Sequence, residues 1–202
     1  MTADKQGDVD IVDKERVYQG YFVIDRYRLR HRTFAGGWTE PVMREVFERG
    51  HAVAVLLYDP DRDEVCLIEQ FRIGALTAGW NPWLIEVVAG IIEDGESIEE
   101  VCRREVAEEA GCAITELVPI ANVIVSPGAC SETVALYCAR VDATKVGGIH
   151  GLVSEGEDIR VFTVKTDEAV AMVKDGRINN SVAMISMLWL AGERQNLQRR
   201  WR

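Results

Sequence analysis

The stretch from Gly90 to Cys112, GIIEDGESIEEVCRREVAEEAGC, leaves this chain few ways to fold. Its second half carries the marks of a helix: Ser97 as N-cap, Glu100 three residues on to complete a capping box, and Gly111 to stop it. Ile98, Val101 and Val106 supply an apolar side, with Cys102 and Ala110 as smaller fillers. Trp83 to Val88 is a short strand feeding this stretch, so the sequence predicts strand, turn and helix in immediate succession. Glu105 and Glu109 stand four residues apart on that helix and share a face, with Glu108 beside them. Helix stability does not ask for this. Acidic side chains near a helix C-terminus oppose its macrodipole, and neighbouring like charges repel. A local rule broken at such a junction marks a place where function is expected.

Clustered carboxylates on a rigid element suit Mg2+ or Mn2+, hard cations that take oxygen ligands and bind polyphosphates alongside them. Glu105 and Glu109 are the first candidates as metal ligands, because an axial spacing of about 6 Å lets their side chains converge on one metal cluster. Glu108 comes next. Two or three ions held this way can bridge a diphosphate, stabilise charge at phosphorus and activate a water for in-line attack. The plain alternative is a solvated acidic helix face, which most charge runs are.

The whole pattern resembles the Nudix box, Gly-x5-Glu-x7-Arg-Glu-U-x-Glu-Glu-x-Gly-U, where U is a bulky aliphatic residue. Gly90, Glu96, Arg104, Glu105, Val106, Glu108, Glu109 and Gly111 all match. Seven fixed letters at roughly 6% usage each give a chance match on the order of 10⁻⁹ per starting point. Cys112 departs from the last aliphatic position, a small apolar substitute that affects packing rather than chemistry. The resemblance implies an α+β protein with the Nudix α/β/α sandwich and a mixed sheet. It also implies that Glu96 and Arg104 pair to brace the loop-helix-loop, between the supporting glycines Gly90 and Gly111, and that the carbonyl of Ala89 meets metal.

Outside the box, Pro127 lies sixteen residues past Gly111. This spacing and the phrases GYFVIDRYRLRHR, REVFERGHA, VCLIEQFR, SPGACSE and GIHGLVSEGEDIRV resemble the bacterial ADP-ribose pyrophosphatase branch of the family from about residue 15 to 190. That resemblance implies hydrolysis of ADP-ribose to AMP and ribose 5-phosphate. It places the general base on the loop after the box strands, at Glu155, with Glu157 as a further metal ligand and Glu108 and Arg104 completing the catalytic group. Glu155 and Glu157 on a Gly-flanked loop could move over a bound substrate and then act, or could simply be solvated.

A substrate with an adenine and a diphosphate needs further partners. Arg44 and Arg72 are candidates for anion or base-stacking contacts, since guanidinium is planar and always charged. Tyr21 or Phe22 could stack on adenine, and Ser126 and Glu132, flanking Pro127, could hydrogen-bond ligand groups. By resemblance, some of these come from the neighbouring subunit of a homodimer. Each has a plain alternative as a core aromatic or an edge-covering arginine.

The rest of the chain bounds these readings. Length 202, with 48% hydrophobic and 28% charged residues, fits one ordinary soluble domain with a terminal extension. A formal charge of -10 argues against a nucleic-acid surface but not against an anionic small substrate, because metal ions can supply the positive field. No stretch reaches the length of a membrane span, and no apolar h-region suggests a signal peptide. The five cysteines lack zinc-type pairs and read as buried free thiols of a reducing cytoplasm.

Residues 1–15 predict a mobile acidic lead-in. Arg16 to Phe34 predicts one long strand, turned at Gly36-Gly37 and returned by Trp38 to Phe47 as an antiparallel ribbon. Such a ribbon, taken as residues 1–48, is poorly buried on its own and favours dimerisation; residues 49–202 form the hydrolase domain. His51 to Tyr58 and Glu64 to Phe71 are strands about a turn at Asp59 to Asp63, followed by a loop through Gly74, Gly79 and Pro82. Strands follow at Ile114 to Val125, Thr133 to Val141 and Asp158 to Val164, with residues 142–157 as a long glycine-rich loop. Two helices close the chain, from Thr166 and from a cap at Asn180 or Ser181, before a solvated basic tail at 196–202. His51 belongs at a strand start, His31 on the ribbon and His150 in the loop without ligand spacing; Trp80, Trp83 and Trp189 are packing residues. Two other functions stay open: cleavage of another sugar nucleotide such as ADP-glucose or GDP-mannose, and a sensor that keeps the fold without catalysis.

Overall fold

The computed structural model describes residues 6–201, apart from the side chains of Gln6 and Glu155. The chain divides into two compact units, Met1–Gly50 with Ile124–Glu132, and His51–Val123 with Thr133–Arg202.

The first unit is a three-stranded antiparallel sheet of β1 (Val9–Gln19), β2 (Val23–His31) and β3 (Val42–Glu48), in that order. Two sequence expectations change here. The part of the lead-in from Val9 onward is a strand, while residues 1–5 lie outside the described residues. The single long strand is also two, broken where the Gly20 N–H donates to the Phe22 carbonyl at 2.9 Å. Most of the charges from Asp10 to Arg16 are spent across the sheet. Lys14 and Arg16 meet Asp25 at 2.9 and 3.0 Å, Arg30 meets Asp10 at 2.7 Å, and Arg26 bridges Glu15 and Glu45. Gly36 and Gly37 make the expected turn with φ of 91° and 86°, a left-handed backbone that costs glycine little. Among the described residues of this unit only Asp25 and Glu132 are buried, both acids. Val9, Ile11, Val12, Tyr18 and Met43 stay exposed, so the sheet has no hydrophobic core of its own.

The second unit is built on β4 (Ala52–Asp59) and β5 (Glu64–Phe71), joined by a turn in which the Asp59 carboxylate accepts the N–H groups of Asp61 and Arg62. A short helix α1 (Ile73–Thr77), unforeseen in the loop, leads to β6 (Trp83–Glu86), β7 (Val88–Ile91) and α2 (Ile98–Ala110). After α2 come β8 (Glu116–Ile124), β9 (Thr133–Arg140), β10 (Gly148–His150), β11 (Ile159–Lys165), α3 (Thr166–Lys174) and α4 (Ser181–Arg200). The sheet runs β10-β11-β5-β4-β9-β8, with β6 on β5 and β7 on β4. β4 is antiparallel to β5 and β7 but parallel to β9, which makes the sheet mixed. The 142–157 loop is therefore not structureless. Asp142 caps a turn at Ala143–Lys145, β10 pairs with β11, and Val153–Glu155 form a second turn.

Alternation along β4 assigns the two faces. Val53, Val55 and Leu57 pack with Val101, Cys102, Val106 and Ala110 of α2. Their neighbours Ala54, Leu56 and Tyr58, also buried, point the other way, and Tyr58 lies 6.4 Å from Trp201. This is an α/β/α sandwich, with α2 and α4 on opposite faces. The basic tail is helical and only partly solvated: α4 continues to Arg200, with Asn196, Arg199 and Arg200 exposed but Leu197 and Trp201 buried, and Arg202 lies outside the described residues. Arg194 grips Asp63, a left-handed turn residue with φ of 55°, and ties α4 to the β4–β5 hairpin. The five cysteines are free, and burial pushes the Cys112 thiol up to about 11 and Cys102 to about 12.

Trp201→Ala is expected to lower unfolding stability in urea by about 3–5 kcal/mol. Trp201→Phe should cost less, because it keeps an aromatic ring in the pocket while removing an indole N–H that is buried without a partner. Equal losses in the two variants would contradict this packing role.

Candidate active site

The site grows from the crossing of β7 and α2. Ser97 accepts the Glu100 N–H and the Glu100 side chain accepts the Ser97 N–H, so the capping box forms as expected. Gly111 ends α2 in the left-handed region at φ 62°. Between these ends the helix turns Val101, Cys102, Val106 and Ala110 into the core, and Glu105 and Glu109 follow on the edge of the same face. They are 9% and 4% exposed, so the solvated-face alternative does not describe them. The neighbouring Glu108 is only half-buried.

Gly90 explains how a buried carboxylate fits there. A Cβ on Gly90 would lie 1.8 Å from Glu105 Oε1, so the Glu105 carboxylate rests directly on the β7 backbone. One residue earlier, the Ala89 N–H donates to Glu109 Oε2 at 3.1 Å. Arg104 grips Glu96 with two bonds of 3.0 and 3.1 Å, and its Nη1 reaches Glu105 at 2.6 Å and Glu108 at 3.5 Å. The Glu96 carboxylate also accepts the Glu93 N–H at 3.0 Å. Arg104 thus ties the turn to the helix and the helix acids to each other.

The electrostatics follow from burial. Loss of water pushes the Glu109 carboxyl up to about 8; the Ala89 N–H and the charge of Arg72 oppose the rise, and Glu105 and Glu157 add to it. Burial raises Glu105 as well, against Arg104. Arg104 and the Glu93 N–H hold Glu96 below the usual carboxylate range.

Glu157 is brought to this group from the long loop. Its Oε2 accepts the Leu152 N–H at 2.9 Å, and its charge is felt by both Glu105 and Glu109. Glu155 occupies the end of the adjacent turn, while its side chain lies outside the described part of the structure. His150 has a place that its sequence context did not reveal. Its ring lies over Gly111, where a Cβ would come within 2.2 Å, and the Gly151 N–H donates to the Glu108 carbonyl at 3.4 Å. The loop root is docked on the end of α2.

These residues suit hard divalent cations by donor chemistry: oxygen only, two buried carboxylates, and a glycine cradle that brings one of them to the backbone. Glu105 and Glu109, with Glu157 and the Ala89 carbonyl, could hold them. Among the described residues no three acidic, histidine or cysteine side chains converge on one point, and the Glu105 carboxylate is paired with Arg104.

The substrate candidates divide between the units. Arg72, just before α1, donates from Nε to Glu86 at 2.9 Å in the second unit. Tyr21, Phe22, Arg44, Ser126 and Glu132 belong to the first. Tyr21 is 88% exposed, whereas the Phe22 ring packs on Phe47 at 5.0 Å and under Arg49 at 5.4 Å. Arg44 is exposed on β3, the Ser126 carbonyl accepts the Ala129 and Cys130 N–H groups, and Glu132 pairs with Arg49 at 3.2 Å. Sequence reading passed over Glu86, Gln70 and Arg49; the signal for Glu86 was a lone acid in the apolar run WLIEVVAG. Trp80 and Trp83 are corrected from packing residues to half-exposed ones: Trp80 lies in the bend after α1 and Trp83 opens the short flanking strand β6.

Residues 48–180 match the NUDIX domain. The ADP-ribose pyrophosphatase of Escherichia coli K12 is 47% identical over 196 residues, covering 97% of this chain and 94% of that protein. The protein of the same name from Haemophilus influenzae is 40% identical over 200 residues, covering 98% and 92%. A GDP-mannose pyrophosphatase from Pectobacterium atrosepticum is 34% identical over 173 residues, covering 85% and 88%. A crystal structure described as an ADP compounds hydrolase shares the fold with a TM-score of 0.72, over 96% of both chains at 18% identity. The chain belongs to the Nudix family. Of these relatives, the two ADP-ribose pyrophosphatases share more of its sequence than the GDP-mannose enzyme does.

Glu109 yields a signed pH prediction. Its folded, metal-free carboxyl at about 8 lies above the ordinary 4.5, so the unfolded chain binds fewer protons between these values. The group's contribution to stability is complete below about pH 4.5 and is lost as pH rises through about 8. In metal-free protein, Glu109→Gln should therefore raise the melting temperature by about 4 °C or more at pH 9 and leave it nearly unchanged at pH 4.5. A difference independent of pH would contradict the burial argument.

Proposed function

We propose that this chain hydrolyses the diphosphate of ADP-ribose to AMP and ribose 5-phosphate in a reaction that depends on divalent metal. The observation that carries the reading is the buried pair Glu105 and Glu109, held against the β7 backbone at Gly90 and Ala89. The identity to two proteins named ADP-ribose pyrophosphatase across nearly the whole chain supports the choice of substrate. Mg2+, with Mn2+ as a substitute and two or three ions per site, supplies when bound the charge neutralisation at phosphorus and the activation of water.

The roles of the chain's own residues follow. Glu105, Glu109, Glu157 and the Ala89 carbonyl hold the metal. Arg104, braced by Glu96, keeps Glu105 and Glu108 in position. Glu155 takes the proton of the attacking water, carried on a loop whose Gly151 and Gly156 adopt left-handed backbone. Arg72 and Arg44 bind the diphosphate, Tyr21 and Phe22 the adenine, and Ser126 and Glu132 donate to or accept from the remaining polar groups.

The active species in this reading is a homodimer. Residues 1–48 act as its dimerisation extension and 49–202 as the hydrolase domain. A sheet whose buried residues are two acids, with Val9, Ile11 and Tyr18 exposed, gains apolar burial from a second copy. Neither nucleic acid nor membrane is a partner in this reading: the formal charge is -10, and no helix among the described residues is long and apolar enough to cross a bilayer. Five free cysteines suit a reducing compartment, and we assign the enzyme to the cytoplasm. The similarity to a GDP-mannose pyrophosphatase favours one second reading, cleavage of another nucleotide sugar.

The test is a mass-spectrometric product assay with Mg2+ in ¹⁸O-labelled water, comparing ADP-ribose, ADP-glucose and GDP-mannose. AMP and labelled ribose 5-phosphate, or labelled AMP with ribose 5-phosphate, are expected from ADP-ribose, and the label identifies the phosphorus attacked. Equal or better turnover of GDP-mannose overturns the substrate assignment. Glu155→Gln should lower kcat by about 10²–10³ while calorimetric Mn2+ affinity stays within about twofold. Unchanged turnover moves the base elsewhere.

A further inference from the structure

We infer that Glu86, backed by Gln70, is a positioning residue that holds the Arg72 guanidinium toward the diphosphate; the inference rests on the active-site reading above. Glu86 on β6 stands opposite Ile68 on β5, and Ile68 belongs to the core under α2. Gln70, two residues past Ile68, lies on that same catalytic face. Both side chains are largely withdrawn from water, at 15% and 6% exposure.

One oxygen of Glu86, Oε2, accepts from Arg72 Nε at 2.9 Å and from Gln70 Nε2 at 3.2 Å. The bond to Arg72 runs through Nε, so the terminal amino groups are not spent on it. The Arg72 main chain is fixed too, its N–H donating to the Pro82 carbonyl at 2.7 Å. The side chain is 44% exposed, and its charge reaches Glu109. It is restrained at its root and open at its tip.

An acid on the sheet face that carries α2, beside an arginine whose charge reaches Glu109, adds negative charge there and, by itself, opposes an anionic substrate. With Arg72 44% exposed, the attraction within the pair is screened by water and contributes too little stability to justify that cost. A flexible arginine, by contrast, must lose rotamer freedom when it binds phosphate, and restraint beforehand removes that loss from the binding step. The adjacent Glu69 shows the ordinary case. It points to the opposite sheet face and pairs with Arg160, away from the acids of α2.

A double-mutant cycle tests this with ADP-ribose at saturating Mg2+, using Glu86→Gln, Arg72→Ala and the double variant, with Glu69→Gln as control. Glu86→Gln should raise KM about tenfold, with kcat changed less than about threefold, and add no further loss in the Arg72→Ala background. Mn2+ affinity, measured by calorimetry without substrate, should not change. Gln70→Met, which leaves Arg72 and Glu86 in place, should raise KM about threefold, and the control should match wild type. Additive losses, weakened Mn2+ binding or an unchanged KM overturn the positioning role. If wild type fails to cleave ADP-ribose, the functional reading fails separately. The same cycle is then read from calorimetric binding of inorganic pyrophosphate, where coupling between positions 72 and 86 supports the inference and its absence overturns it.

Discussion

The carboxylate of Glu105 lies against the backbone of Gly90 in space that any side chain would fill, and the placement of the other acids depends on that contact. It brings α2 close enough to β7 for Glu109 to take the Ala89 N–H one residue away. Arg104 then spans from the helix to Glu96 in the turn and pins the geometry from the solvent side. A capping box at one end of α2 and a left-handed glycine at the other set its length, so Glu105 and Glu109 fall at the crossing rather than beyond it.

Burying two carboxylates is costly in a metal-free chain, and the raised proton affinity of Glu109 expresses that cost. The surrounding core carries it. Val101, Cys102, Val106 and Ala110 pack on Val53, Val55 and Leu57 of β4, a strand buried on both faces, and the helix cannot rotate to expose the acids without exposing that apolar side. Two buried carboxylates and an apolar core meet at one turn of helix, and the weight of the core behind it keeps the acids where they are.

The first unit follows a different logic. Its strands are joined by ladder hydrogen bonds and by ion pairs around Asp25 and Arg26, with no apolar interior among its described residues. Exposed ion pairs of this kind contribute little individually.

Much of this was legible in the sequence. Ser97, Glu100 and Gly111 are local signals, and helical spacing alone puts Glu105 and Glu109 on one face, so helix, caps and acidic face could be read from adjacent residues. The strands of β4, β5 and β9 announced themselves by continuous apolar runs. What the sequence could not determine were relations between distant residues. That β1 is a strand depends on partners such as Asp25 and Arg30 that absorb its charges. That Trp201 is buried depends on a pocket beside Tyr58 formed far upstream. That Glu86 meets Arg72 and Gln70, and that His150 lies over Gly111, depends on strand register and loop docking. By itself the sequence determined the local elements and the chemistry of the acidic helix, because both arise within a few residues. Only the tertiary structure decided which charges are buried and what they touch, because burial is a property of packing between segments far apart in the chain.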